Sequence, residues 1–295
     1  MIDQPVSGAP DRAPATVTVY RPSPALEPYV TFYYFVTATA PIRDFLYPEW
    51  GNVRFALSGD WQVAIDGSFS SIPQPSVLFG PTDCRSLVTA GPGRMAGFGL
   101  TPIGWSRLIG GNTARMANQV RPLENALGTT AAPLHAQLVA DGGDEVASVR
   151  RWEAILTALA ALRPLSNPRV LALDRALRST PADVAIFAER VGMSERSLHR
   201  LCLETFGFAP KRLLRRQRFL RTLGLVRSAV GNPVTPSLGE DYYDLPQFYR
   251  DFRDFMGMSA RDYFAAPRDL MGPAAVAQME AGVTLSFALA PPPAD

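Results

Sequence analysis

The sequence predicts an α+β protein in two parts: a β-rich, barrel-like N-terminal domain with a helical end, then an all-α C-terminal domain. Three observations predict this. The chain has 295 residues, room for two domains with a core each. Residues 15–102 hold short apolar runs broken by Gly, Pro, Asp and Ser, the signature of successive strands. Beyond Pro102 the apolar period lengthens to that of helices, and it stays so to Phe264.

Residues 1–14 are rich in Pro, Gly, Ala and Asp and read as a flexible tail. The strand candidates are ATVTVY (15–20), YVTFYYFV (29–36), NVRFALSG (52–59), WQVAID (61–66), SVLFG (76–80), RSLVTA (85–90) and RMAGFGL (94–100). GWSRLIG (104–110), PLHAQLVA (133–140) and RRWEAILTALAALR (150–163) read as helices that finish a first domain over 15–160. LRPLSNPR (162–169) carries two prolines and reads as a linker. A second domain is expected over 163–266. The segment 271–295, ending in APPPAD, is expected to be a mobile tail in which VTLSFALA (283–290) could dock.

Composition narrows the function. Hydrophobic residues are 47% and charged residues 19%, which excludes a disordered chain. No apolar run approaches a membrane span and no signal peptide is visible, so a cytoplasmic location is expected. Two cysteines and two histidines cannot build a disulfide framework or a multi-histidine metal centre. The net charge of +2 conceals an asymmetry. Residues 163–270 hold 18 basic against 12 acidic groups, and the remainder hold 11 against 15. A basic part of that kind points to a nucleic-acid partner.

PADVAIFAERVGMSERSLHRLCLETFG (181–207) is the informative segment. Ala188, Gly192 and Leu198 supply a small residue for a helix contact, a turn glycine and an apolar residue that packs back. Those are the needs of a helix-turn-helix. Ser194 suits the N-cap of its second helix. On that helix Leu198, Leu201 and Cys202 form one face and Arg196, His199 and Arg200 another. Exposed cations near a helix N-terminus can enter a major groove and read base edges. A plain helical hairpin with a solvated charged face would fit this segment alone.

A repeat argues against that simpler reading. Shifted by 50 residues, Ser194, Leu198, Arg200, Gly207 and Pro210 fall on Asp244, Phe248, Arg250, Gly257 and Ala260. In the second copy Tyr242, Phe248, Phe252 and Phe255 supply a core, and Leu245, Pro246, Tyr249 and Arg250 point outward. KRLLRRQRFLRTLGLVR (211–227) joins the copies, with six basic and no acidic residues in its first eleven. Such a helix spans about 25 Å and could set two reading helices about one DNA turn, roughly 34 Å, apart.

The segment 163–266, about a third of the chain, resembles the DNA-binding domain of AraC/XylS-type transcription regulators. The resemblance rests on Ala188, Gly192, Ser194, Arg196, Leu198, Arg200, Gly207, Pro210 and Arg218. In the second half it rests on Tyr243, Asp244, Phe248, Arg250, Phe252, Gly257 and Tyr263. It implies two helix-turn-helix units on adjacent major-groove segments. The family's base-contacting positions fall on Arg196, His199, Arg200, Leu245, Pro246, Tyr249 and Arg250. Ser194, Lys211, Arg212 and Arg215 are expected to meet phosphates, and the arginine row of 211–227 divides between such contacts and structural roles, since buried helices also use Arg to snorkel. The second unit departs from the pattern at Asp241, Ser237, Gln247 and Ala260, with Pro233 and Pro236 nearby. It is therefore expected to position more than to read.

The resemblance also implies an N-terminal domain, here cupin-like in build, that senses a small effector, dimerises, or both. Glu49, Trp50 and Arg54, around the Trp50-Gly51 turn, are the candidate pocket residues. No histidine precedes His135, so a metal-dependent cupin is not expected, and no nucleophile elbow or cysteine cluster suggests catalysis. The expectation is a sequence-specific DNA-binding regulator, not an enzyme, without metal or cofactor. Its expected partners are double-stranded DNA, a small effector, RNA polymerase and a second copy of the chain. The alternative is a dimeric accessory protein with a degenerate second unit that reads no sequence.

Overall fold

The computed structural model describes residues 13–65, 68–71, 76–140, 143–165, 167–228, 242 and 244–283. Among these residues ten strands form two antiparallel sheets. They are β1 (Ala15–Tyr20), β2 (Val30–Ala38), β3 (Ile42–Leu46), β4 (Asn52–Ser58), β5 (Gln62–Ile65), β6 (Ser68–Ser71), β7 (Ser76–Phe79), β8 (Ser86–Ala90), β9 (Gly93–Leu100) and β10 (Val120–Pro122). The first sheet has the order β1-β2-β9-β4-β7-β10 and the second β3-β8-β5-β6. Among the described residues no ladder joins the two, so the β-rich domain is a two-sheet body and not a closed barrel.

Side-chain alternation decides what each face of the first sheet meets. Tyr33, Phe35, Val53, Phe55 and Phe98 point to one side, where α1 (Ala131–Ala140) and α2 (Glu145–Leu162) cover them. Trp152 of α2 lies at the centre of this layer. It stacks on Phe35 and Phe55 at 5.9 and 5.2 Å, and its indole N–H donates to the Leu134 carbonyl at 2.9 Å. Val19, Tyr34, Val36 and Met95 point to the other side and meet Ile42, Val63 and Val88 of the second sheet. Gly97 lies opposite Tyr34 and Arg54 in the ladders. A side chain there would run into the Tyr34 hydroxyl, so the glycine makes room for polar groups inside the sheet.

The C-terminal part is helical: α3 (Val170–Arg178), α4 (Val184–Val191), α5 (Glu195–Phe206), α6 (Pro210–Ser228), α7 (Leu245–Met256) and α8 (Ala260–Ala265). The 50-residue repeat is visible in its caps. α5 and α7 each have 12 residues. The Ser194 hydroxyl accepts from the Ser197 N–H, and the Asp244 carboxylate accepts from the Gln247 N–H. Both helices end on a left-handed glycine, Gly207 and Gly257. Ser237, Asp241, Tyr243, Pro233 and Pro236 lie outside the described residues.

The tail expected at 271–295 is different in its first part. Met271–Glu280 is a helix, α9, which packs on β1 and β3 of the N-terminal domain. Asp44, buried in β3, fixes its start by accepting the Leu270 and Met271 N–H groups at 2.9 and 2.7 Å. A carboxylate at a helix N-terminus satisfies donors that have no partner in the helix. VTLSFALA lies outside the described residues except for Val283. Among the described residues no helix is long and apolar enough to cross a membrane.

Candidate nucleic-acid interface and the cavity behind it

Helix α5 divides its residues as its period dictates. Leu198, Leu201 and Cys202 are buried, while Arg196, His199 and Arg200 are exposed. Arg200 has one partner on its own helix, Glu204 at 3.4 Å, and its side chain is 65% exposed. An exposed pair at that distance is weak, so the guanidinium is available to another acceptor. On α7 the aromatic side is inward: Phe248, Phe252 and Phe255 pack on Phe219 of α6. Pro246, Tyr249 and Arg250 are exposed and Leu245 is half-buried. The second helix therefore offers one cation and one phenol, beside two groups that can only touch apolar atoms.

The basic stripe of α6 differs from the phosphate role expected of it. Lys211 is exposed. The Arg212 Nε donates to the Asp83 carboxylate at 2.7 Å, Nη2 donates to the Asp83 carbonyl at 2.8 Å, and Nη1 meets Asp254 at 2.5 Å. Arg215 bonds Asp251 at 2.6 Å and Asp254 at 2.8 Å. Neither guanidinium is a free phosphate ligand. Arg212 ties the N-terminal domain and the second helix-turn-helix to the linker helix, and Arg215 ties the linker helix to the second unit. Arg218 joins them on Asp251 at 3.1 Å, where the Tyr242 hydroxyl also donates. Ser194 is exposed, and its oxygen is engaged in the α5 cap.

Arg216, one turn on from Arg212, is fully buried. Its Nε donates to the Thr82 carbonyl, and its guanidinium lies 4.2 Å from the Trp50 ring centre. Burial lowers its pKa to about 9, against the pull of Asp83 and Glu49. It is charged at neutral pH on any account, since guanidinium resists deprotonation. The sequence divides this arginine row between phosphate contact and structural roles, and the structure gives Arg212, Arg215 and Arg216 structural partners.

Between the sheets lies a cavity of about 70 Å³. Its walls include Val19, Phe32, Val36, Trp61, Val88 and Met95. Its polar end is Glu49, Arg54, Tyr34 and Asn52. Arg54 Nη2 meets the Glu49 carboxylate at 2.6 Å, and its Nε donates to the Tyr34 hydroxyl, which donates to Asn52. Burial pushes the Glu49 carboxyl up, against Arg54 and Arg216. Burial works against the Arg54 charge too, and Glu49 with Tyr34 more than restores it.

The structure thus brings Glu49 and Arg54 together but not Trp50. Trp50 is turned to the opposite side, onto Phe206 of α5 and Arg216 of α6, and does not line the cavity. The segment 46–50 has two sides. Leu46 and Glu49 line the cavity. Tyr47 hydrogen-bonds Tyr263 of α8, and Trp50 meets the first unit. Five consecutive residues connect the cavity with both helix-turn-helix units.

Residues 187–266 match the family described as a helix-turn-helix domain, and that segment is of the AraC type. The chain therefore carries a helix-turn-helix domain of the kind that binds DNA. Among solved structures it is similar to ToxT from Vibrio cholerae O395, at 12% identity over 85% of this chain and 96% of that one, TM-score 0.45. It is also similar to unsaturated fatty acid-bound ToxT from V. cholerae strain SCE256, at 10% identity over 84% and 93%, TM-score 0.43. A third is the AraC-like transcriptional activator CuxR, at 15% over 71% and 86%, TM-score 0.30. No curated protein matches the sequence.

Proposed function

We propose that this chain is a sequence-specific DNA-binding transcription regulator, with Arg196, His199 and Arg200 reading bases in one major-groove segment. Tyr249 and Arg250 address the next segment, with Leu245 and Pro246 making apolar contacts such as those to a thymine methyl. Lys211 and Ser194 serve the phosphates on this reading. The carrying observation is the pair of equal helices, 50 residues apart, with matching caps and exposed polar faces. A small effector held between the sheets adjusts the two units through residues 46–50. The regulator works on chromosomal DNA in the cytoplasm, as a dimer, with RNA polymerase as its further partner.

Selection from randomised duplexes with the full chain tests this. Enrichment of two short elements about one helical turn apart, roughly 34 Å, supports it. Binding without enrichment supports instead an accessory protein that reads no sequence, a reading favoured by the poverty of donors at Leu245 and Pro246.

A further inference from the structure

We infer that the cavity between the sheets takes an uncharged, mainly apolar molecule carrying one hydroxyl or amide group, and that helix α9 is the wall that moves to admit it. This rests on the effector part of the proposed function and adds the ligand's chemistry and its gate.

The charge of the ligand follows from the polar end. Arg54 is the cation there, its side chain is 6% exposed, and Glu49 already neutralises it. A carboxylate or phosphate ligand would have to displace Glu49 or lie beside it, both buried. Either choice sets a second buried anion against a pair that is already matched, because Arg216, the other cation acting on Glu49, does not line the cavity. A neutral molecule leaves the pair intact.

The polar group follows from Gln278. It lines the cavity from α9 and is 3% exposed, and its Oε1 has no hydrogen-bond partner among the described residues. Buried polar atoms are normally paired, and an orphan one marks a place for a missing partner. A hydroxyl or amide can satisfy a glutamine amide in either of its orientations. The rest of the wall is hydrocarbon and aromatic, so the ligand's body is apolar.

The gate follows from size and attachment. Small-molecule sites usually offer at least about 300 Å³. This one, at about 70 Å³, must widen. The sheet walls are held by ladders, unbroken for β1 on β2 and β3 on β8 and with one register shift between Val30 and Tyr33 for β2 on β9. The α9 wall, with Met271, Ala274 and Gln278 facing the cavity, is anchored at its start by the two Asp44 hydrogen bonds. Only residues 266–270 separate α9 from α8, so its displacement pulls directly on the second helix-turn-helix unit.

Three probes of one shape test the proposal on the full chain at pH 7 by calorimetry: naphthalene, 2-naphthol and 2-naphthoate. The expected order places 2-naphthol about tenfold tighter than either of the others. Gln278→Leu should erase its advantage over naphthalene while naphthalene still binds. Ala274→Trp, which fills the mouth from a half-buried helix position, should lose all three. In the wild-type chain, hydrogen exchange at amides 272 and 274–280 should quicken when 2-naphthol binds, with β2 and β9 unchanged. Tightest binding by 2-naphthoate would overturn the neutral-ligand inference and leave an effector cavity standing. A preference untouched by Gln278→Leu would overturn the role of that amide. Unchanged exchange in α9 would overturn the gate. Binding of none, or binding indifferent to Ala274→Trp, would overturn the site and the effector reading with it. Selection of a DNA consensus remains an independent result.

Discussion

Arg212→Met separates a clamp from a phosphate contact. The substitution keeps an unbranched apolar stem over Phe255, whose ring centre lies 4.1 Å from the guanidinium carbon. It removes three hydrogen bonds: two to Asp83 and one to Asp254. Breaking a buried pair by deleting one partner costs about 3–5 kcal/mol. The Arg212 side chain is 23% exposed and Asp254 is 41% exposed, so solvent screens part of this. A loss of about 2–3 kcal/mol is the expected result. At about 2–4 °C per kcal/mol for chains somewhat smaller than this one, Tm should fall by about 5–10 °C in a thermal melt. The salt dependence of DNA binding gives the second reading. Each phosphate contact contributes about 0.9 to the slope of log K against log salt. A clamp leaves that slope unchanged at a temperature where the variant is folded. An unaltered Tm together with a slope reduced by about one would refute the clamp.

Arg200→Ala should behave in the opposite way. Its ion pair is exposed, so stability should change by less than about 0.5 kcal/mol, while affinity for a selected site should fall by about 1–3 kcal/mol. Chemical melts and fluorescence anisotropy check the two halves. Cys202 is buried and its thiol is pushed up to about 12, so it should resist a thiol reagent at pH 8 until the protein is unfolded. Early labelling of Cys202 would show that α5 opens on its own. The Glu49 carboxyl is raised by burial, so the native state takes up its proton before the unfolded chain does. Its contribution to stability therefore declines as pH rises from the ordinary carboxylate range through the folded value. Urea midpoints of Glu49→Gln should lack that decline. A steeper decline in the variant would contradict the assignment.

The helix-turn-helix units were legible because their signals are local. Ser194, Gly207, Asp244 and Gly257 are cap residues whose roles depend on neighbours within one turn. That some α6 arginines are structural was legible, but which ones was not. The partner of Arg212 on Asp83 lies 129 residues away, and the partners of Arg215 on Asp251 and Asp254 lie 36 and 39 away. A run of arginines looks the same whether it faces DNA or a buried aspartate. Strand β3 escaped notice because Asp44 interrupts its apolar pattern, and that aspartate is buried to cap α9. Helix α9 itself contains Gly272 and Pro273 in its first turn, residues that suggest a tail until a helix start is allowed for. Glu49 and Arg54 stand out in the sequence by their place around a turn, and the structure pairs them at the polar end of the cavity. Trp50 was misplaced because it points to the opposite side of the chain from Glu49.

The most direct measurement repeats the selection from randomised duplexes with Arg200→Ala and with Arg250→Ala beside the unaltered chain. Each substitution should flatten one or two base positions, Arg200→Ala in one element and Arg250→Ala in the other, with the spacing between elements kept. Identical consensus sequences from all three proteins, or a uniform weakening with no position relaxed, would mean that these helices do not read DNA.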